Sequence, residues 1–182
     1  SALFTINPST GVLTFNASPN YEAPADADSN NRYEVTVQVS DEHGAIDTQA
    51  LTINVVNANE TPTITSNGGG SSAALSIAEN TTAVTTVTAT DPDAGTTLTY
   101  SIAGGADAAR FTINPTTGAL SFVSAPNYES PTDSGGNNIY NVDVRVSDGA
   151  LTDVQSIAVT VLDMPDNNPP TSATAILAPT EE

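Results

Sequence analysis

Apolar and polar residues alternate from Tyr33 to Val39, where Glu34, Thr36 and Gln38 separate Tyr33, Val35, Val37 and Val39. The same alternation runs from Tyr140 to Val146, with Asn141, Asp143 and Arg145 between Tyr140, Val142, Val144 and Val146. A period of two places one set of side chains on one side of an extended chain, so each stretch predicts a strand with one face in a core. Between residues 61 and 168 further apolar runs predict strands near 63–66 with 74–77, then 84–90, 97–102, 110–113, 119–122, 140–146 and 155–162. Clusters of Gly, Pro, Asn and Asp separate them. No long segment carries apolar residues at helical period. Seven short strands in about 105 residues predict an all-β, seven-stranded Greek-key β-sandwich.

The pattern is repeated. FTINPSTGVLTF at Phe4 to Phe15 returns as FTINPTTGALSF at Phe111 to Phe122, an offset of 107. SPNYEAP at Ser18 to Pro24 matches APNYESP at Ala125 to Pro131, RYEVTVQVSD from Arg32 matches IYNVDVRVSD from Ile139, and LTINVV at Leu51 to Val56 matches IAVTVL at Ile157 to Leu162 after a one-residue gap. Self-similarity of this length predicts tandem copies of one unit. Residues 1–60 hold the later four strands of a repeat, 61–168 a complete repeat, and 169–182 the opening of a further one. A half sandwich leaves an apolar face and strand edges open, so neighbouring repeats or protomers of the same protein are expected to complete it. The tail from Thr171 to Glu182, with Ala175, Ile176 and Leu177, resembles a first strand. The run Gly68-Gly69-Gly70-Ser71-Ser72 reads as a flexible loop between two parts of the first strand.

Composition narrows the chemistry. The chain has no Cys, so neither disulfides nor thiolate ligands contribute to stability. Three Arg and no Lys stand against 21 Asp and Glu, a formal charge of −18, which disfavours nucleic acid or an anionic membrane as partner. Apolar runs of about 18 residues are absent, so this segment predicts no membrane insertion. The first residues lack the charged and apolar regions of a secretion signal, as expected of an excerpt or a mature product.

The acids of the complete repeat fall at strand ends: Glu79, the Asp91-Pro92-Asp93 pair, Glu129, Asp148, and Asp163 with Asp166 in the linker. Calcium takes six to eight oxygen ligands from carboxylates, amides and main-chain carbonyls, which short acidic loops supply. Pro92 restricts the chain between its two Asp. A lone Asp-x-Asp is equally an ordinary turn, so the signal is the co-occurrence. Asp107 lies outside this set and is read as decoration, whose loss would alter neither calcium affinity nor heat stability.

These motifs resemble those of the cadherin domain, in its bacterial cadherin-like form. Ala78-Glu79-Asn80 is similar to the family's acidic motif near the first strand, and Asp91-Pro92-Asp93 to its Asp-x-Asp. Phe111, Ile113, Thr117 and Gly118, and again Phe4, Ile6, Thr10 and Gly11, match its F-x-I-x-x-x-T-G segment. Pro126-Asn127-Tyr128-Glu129 and Pro19-Asn20-Tyr21-Glu22 correspond to Leu-Asp-x-Glu, with Asn for Asp. Val146-Ser147-Asp148-Gly149 corresponds to its Ala-x-Asp before glycine. The linker Asp-x-Asn-Asp-Asn-x-Pro is met by Asp163 to Pro169 and more loosely by Asn57 to Pro62. The resemblance implies tandem cadherin/immunoglobulin-like sandwiches with Ca2+ between successive domains. Carried over, the first junction would use Glu22, Asn57, Asn59, Glu60, Asp91, Asp93 and Asp148, with main-chain carbonyls from Asn59 and Thr61. Asn57 stands where the family has Asp, and Glu60 is one carbon longer than the usual Asp, so fewer or weaker ions are expected. Glu79, Glu129, Asp163 and Asp166 would form a second set.

Other chemistries find little support. The one histidine, His43, lies in a turn beside Asp41 and Glu42 and reads as a solvated turn residue, which leaves no base for a Ser-His-Asp arrangement. Two carboxyls can hydrolyse a glycoside in an aromatic-lined cleft, but the chain has no Trp. Tyr21 and Tyr128, which precede candidate ligands, serve either as loop packing or as sugar platforms. The expected role is therefore not enzymatic. The chain reads as a calcium-rigidified structural or adhesive segment of an extracellular or cell-surface microbial protein, with carbohydrate binding or homophilic adhesion as alternatives, so that a polysaccharide or another cell-surface ligand is a further partner.

Overall fold

The structure, a computed structural model, describes residues 3–165. Asp166 and the tail from Thr171 to Glu182 lie outside the described residues. Thirteen strands and one short 3-10 turn follow one another among the rest. The first four are β1 (Phe4–Ile6), β2 (Leu13–Phe15), β3 (Arg32–Ser40) and β4 (Ile46–Asn54). The next five are β5 (Thr63–Ile64), β6 (Ser72–Ala78), β7 (Ala83–Thr86), β8 (Ala89–Thr90) and β9 (Thr99–Gly104). The 3-10 turn Ala108–Arg110 precedes β10 (Phe111–Ile113), β11 (Ala119–Phe122), β12 (Ile139–Ser147) and β13 (Thr152–Leu162).

From β5 onward the chain forms a sandwich. One sheet has the order β6-β13-β12-β9; the other side comprises β10-β11-β7 and the pair β5-β8. The alternation of β12 does what the sequence predicts: Tyr140, Val142, Val144 and Val146 are buried while Asn141 and Arg145 face solvent. Ile157, Val159 and Val161 of β13 join them, and Phe111, Leu120, Phe122, Ile64 and Val87 close the core from the opposite side. Each such side chain contributes roughly 1.5–3 kcal/mol on leaving water. β6 runs parallel to β13, whereas the remaining pairings are antiparallel.

The run expected as one strand over 84–90 is two. β7 pairs with β11 and β8 with β5, so the chain changes its pairing partner at Val87 and Thr88 while staying on one side of the sandwich. Val87 is fully buried at this change of partner and donates its N–H to the Gly118 carbonyl at 2.9 Å. A short apolar run has no periodicity that marks such a switch.

The glycine-rich loop before β6 is tied down and not the free loop expected. Gln155 of β13, 0% exposed, donates its amide to the carbonyls of Ser66 at 3.3 Å and Gly70 at 2.8 Å. Its carbonyl accepts the Asn67 amide at 3.1 Å, and Asn67 in turn accepts the Thr85 hydroxyl at 3.0 Å. A buried amide is tolerated because its groups are paired.

β1 and β2 form a hairpin with Phe4 opposite Phe15, and β3 and β4 pair along their whole length. The local core of the later repeat recurs here. Phe15 meets Tyr33 edge-on at 5.1 Å and Phe122 meets Tyr140 edge-on at 5.0 Å. Among the described residues no further strand joins either hairpin. Val39 is accordingly 66% exposed, whereas its counterpart Val146 is fully buried.

Candidate metal centre

The segment after β4 carries Asn57, Asn59 and Glu60 to the end of the complete sandwich, where Pro62 is buried. There Asp91 and Asp93 follow β8, and Asp148 sits in the β12–β13 turn. Asp91 Oδ1 accepts the Asp93 N–H at 2.9 Å, a turn that aims both carboxylates at the linker. Asp93 Oδ1 accepts the Asn57 amide at 2.6 Å, and Asp93 Oδ2 accepts the Glu60 main-chain N–H at 2.9 Å. Asp148 Oδ2 accepts the Asn59 amide at 2.7 Å, while its Oδ1 accepts the N–H groups of Ala150 and Leu151, both at 2.6 Å. Glu22 reaches the same place from the β2–β3 loop: carboxylate oxygens of Glu22, Glu60 and Asp93 lie within 4.8 Å of one another.

The electrostatics of these groups diverge. Donation from the Glu60 N–H and the Asn57 amide holds Asp93 below the ordinary carboxylate range against the opposing effect of burial. The Ala150 N–H, the Asn59 amide and the Leu151 N–H do the same for Asp148. Glu60 is pushed up, first by burial and then by Glu22, Asp93 and Asp91. Its Oε2 and the Oδ2 of Asp91 are buried and accept no hydrogen bond. Buried carboxylate oxygens without donors are costly, and like charges this close repel unless a cation joins them. An all-oxygen, acid-rich set suits a hard cation, so these residues fit calcium.

A second set gathers at the other end of the sandwich. Carboxylate oxygens of Glu79, Glu129 and Asp163 lie within 4.8 Å of one another. Glu79 is buried, accepting the N–H of Tyr128 at 2.9 Å and of Met164 at 3.0 Å. These two donors lower its pKa. Asp166, expected to join this set, lies outside the described residues.

Several residues do work that the sequence reading missed. Asn20, taken as a substitute for a family Asp, accepts the N–H of Glu22 at 2.7 Å and of Ala23 at 3.1 Å, and so orients Glu22. Asn127 accepts the Ser130 N–H at 2.7 Å in the equivalent loop. The Asn-x-Glu spacing was the available signal for the first. Asp107 is not decoration: it is 4% exposed and accepts the N–H groups of Ser134 at 2.6 Å and Asn141 at 2.8 Å. His43 is an exposed turn residue whose N–H is held by Asp41. Tyr21 and Tyr128 are partly exposed, one in each repeat, and the other paired rings belong to the two core triads.

Paired sheets with acidic loops at both ends and a carboxylate cluster on the entering linker define a β-sandwich module whose two acidic clusters have the geometry to hold a metal ion. The cadherin domain model matches residues 73–162, and the chain is a cadherin-like domain protein. It is 31% identical over 178 residues to human protocadherin Fat 4, covering 92% of this chain and 3% of that one. It is 32% identical over 169 residues to the Drosophila melanogaster protocadherin-like wing polarity protein stan, covering 87% of this chain and 4% of that one. The chain thus spans a few hundredths of the length of these relatives. Among solved structures, the protocadherin gamma B7 extracellular cadherin domains 1–4 superpose with a TM-score of 0.58 at 24% identity, over 90% of this chain and 39% of that one.

Proposed function

We propose that this chain is a segment of a repeat array on an extracellular or cell-surface protein, in which calcium stiffens the joint between successive sandwiches. The observation that carries the reading is the pair of buried, donorless oxygens, Glu60 Oε2 and Asp91 Oδ2, beside the Glu22–Glu60–Asp93 cluster. Glu22 belongs to the first repeat, Glu60 to the linker and Asp93 to the second, so one cation bound there would tie all three together. Calcium would supply positive charge and a shell of oxygen-seeking positions. The chain's own part is to hold the carboxylates in place: Asn20 orients Glu22, and the Asp91 turn orients Asp93. A microbial setting is proposed from the resemblance of the motifs to the bacterial cadherin-like form.

Extracellular calcium modules of the weak class bind with dissociation constants of about 0.1–1 mM. Small-angle scattering of the full chain should therefore show a narrower distribution of interrepeat angles in millimolar calcium than in chelator. Superimposable curves would sink the rigid-joint reading.

A further inference from the structure

We infer that the 57–62 joint takes a single calcium ion, among Glu22, Glu60, Asp91 and Asp93, and that the amides of Asn57 and Asn59 replace further cations by tying Asp93 and Asp148 directly. The inference rests on the calcium reading above and adds the ion count and a metal-independent latch.

The five carboxylates of the joint differ in the donors they accept. Asp148 has three: two main-chain N–H groups on Oδ1 and the Asn59 amide on Oδ2. With both oxygens engaged at 2.6–2.7 Å, its charge is compensated inside the protein. The Asn59 contact joins residues 89 positions apart, so it fastens the linker to the β12–β13 turn with no ion. Glu60 and Asp91 are the opposite case, each with a buried oxygen that accepts nothing. Asp93 lies between them. Its oxygens are engaged by Asn57 and by the Glu60 N–H, yet each carboxylate oxygen has room for a second partner. The uncompensated charge is confined to the Glu22–Glu60–Asp91–Asp93 side, and there the structure calls for a cation.

Asn57 makes this arrangement possible. A carboxylate at position 57 would place negative charge 2.6 Å from Asp93 Oδ1, where the amide now donates, and only another cation could hold that pair together. An amide N–H supplies the attraction without adding charge, so the joint needs fewer ions.

Native mass spectrometry of the full chain in calcium counts the ions directly. Glu22→Gln with Glu60→Gln should carry one ion fewer than the parent; a loss of two or more would overturn the single-ion inference. An unchanged count would overturn it too, by placing no ion at the joint, while the scattering comparison separately decides whether calcium stiffens the chain. Asn57→Asp with Asn59→Asp should gain at least one ion, because new carboxylates replace donors. An unchanged count there would mean that Asn57 and Asn59 already act as ligands through their carbonyl oxygens, and the latch would fail. Asn59→Ala should widen the interrepeat angle in chelator and leave the ion count as in the parent. If the angle in chelator stays as in the parent, the latch is excluded.

Discussion

Asp107 and Asn141 bond to each other in both directions: the Asp107 N–H donates to the Asn141 carbonyl at 2.9 Å, and the Asn141 N–H donates to Asp107 Oδ2 at 2.8 Å. Asp107 Oδ1 also accepts the Ser134 N–H at 2.6 Å, so one buried side chain fixes the start of β12 and the loop before it.

Asp107→Ala should therefore lower stability by about 2–3 kcal/mol, since two main-chain donors lose their acceptor in a site that excludes water. Chemical denaturation with and without calcium checks this. The calcium-induced increment should be that of the parent, because Asp107 lies outside both carboxylate clusters. Asp91→Ala with Asp93→Ala should show the reverse pattern, with a reduced increment in calcium. A parent-like increment in that double variant would remove both residues from the site.

Gly118 has φ +71 and packs against the backbone between β7 and β8, where an added Cβ would lie 2.0 Å from the Val87 carbonyl oxygen. Gly11 is its counterpart in the first repeat, with the same φ of +71 and nothing within 4 Å of an added Cβ. Alanine at 11 should cost about 1–2 kcal/mol, the penalty of the left-handed conformation alone. Alanine at 118 should cost more than about 3 kcal/mol, because backbone must also move. Comparing the two denaturation midpoints separates the terms; equal losses would show that the Val87 contact is relieved at no cost.

This pair of glycines shows what a sequence exposes and what it hides. The Thr-Gly step was visible in both repeats, as were the alternation of Tyr140 to Val146 and the acidic motifs, because each is a local pattern with a period or a spacing. The contact that makes Gly118 obligatory was not, since Val87 lies 31 positions away and nothing near either residue announces the other. The joint followed the same rule. Asp91, Asp93 and Glu60 stood out as acids, whereas the pairings of Asn57 with Asp93 and of Asn59 with Asp148 depend on how a linker lies across a turn. Asp107 was misjudged for the same reason: a carboxylate that caps main-chain donors and one that faces water are identical letters.

Asp133 supplies a test of acid stability away from the joints. It is buried, which pushes its carboxyl pKa up, but the N–H groups of Asn137, Asn138 and Gly135 outweigh that effect and hold it below the ordinary value. These donors are bonded at 3.0, 3.1 and 3.0 Å, respectively. A carboxyl with a depressed folded pKa stabilises the fold above its unfolded value of about 3.9, and that contribution disappears as pH falls through the folded value. Protonation then removes the charge that the three donors stabilise. Denaturant midpoints measured in chelator from pH 6 down to pH 2 should thus fall more steeply below about pH 4 in the parent than in Asp133→Asn, whose amide accepts without titrating. The variant should be less stable near neutral pH and approach the parent at the acid end. Parallel curves across the whole range would show that the Asp133 charge contributes nothing to the loop it caps.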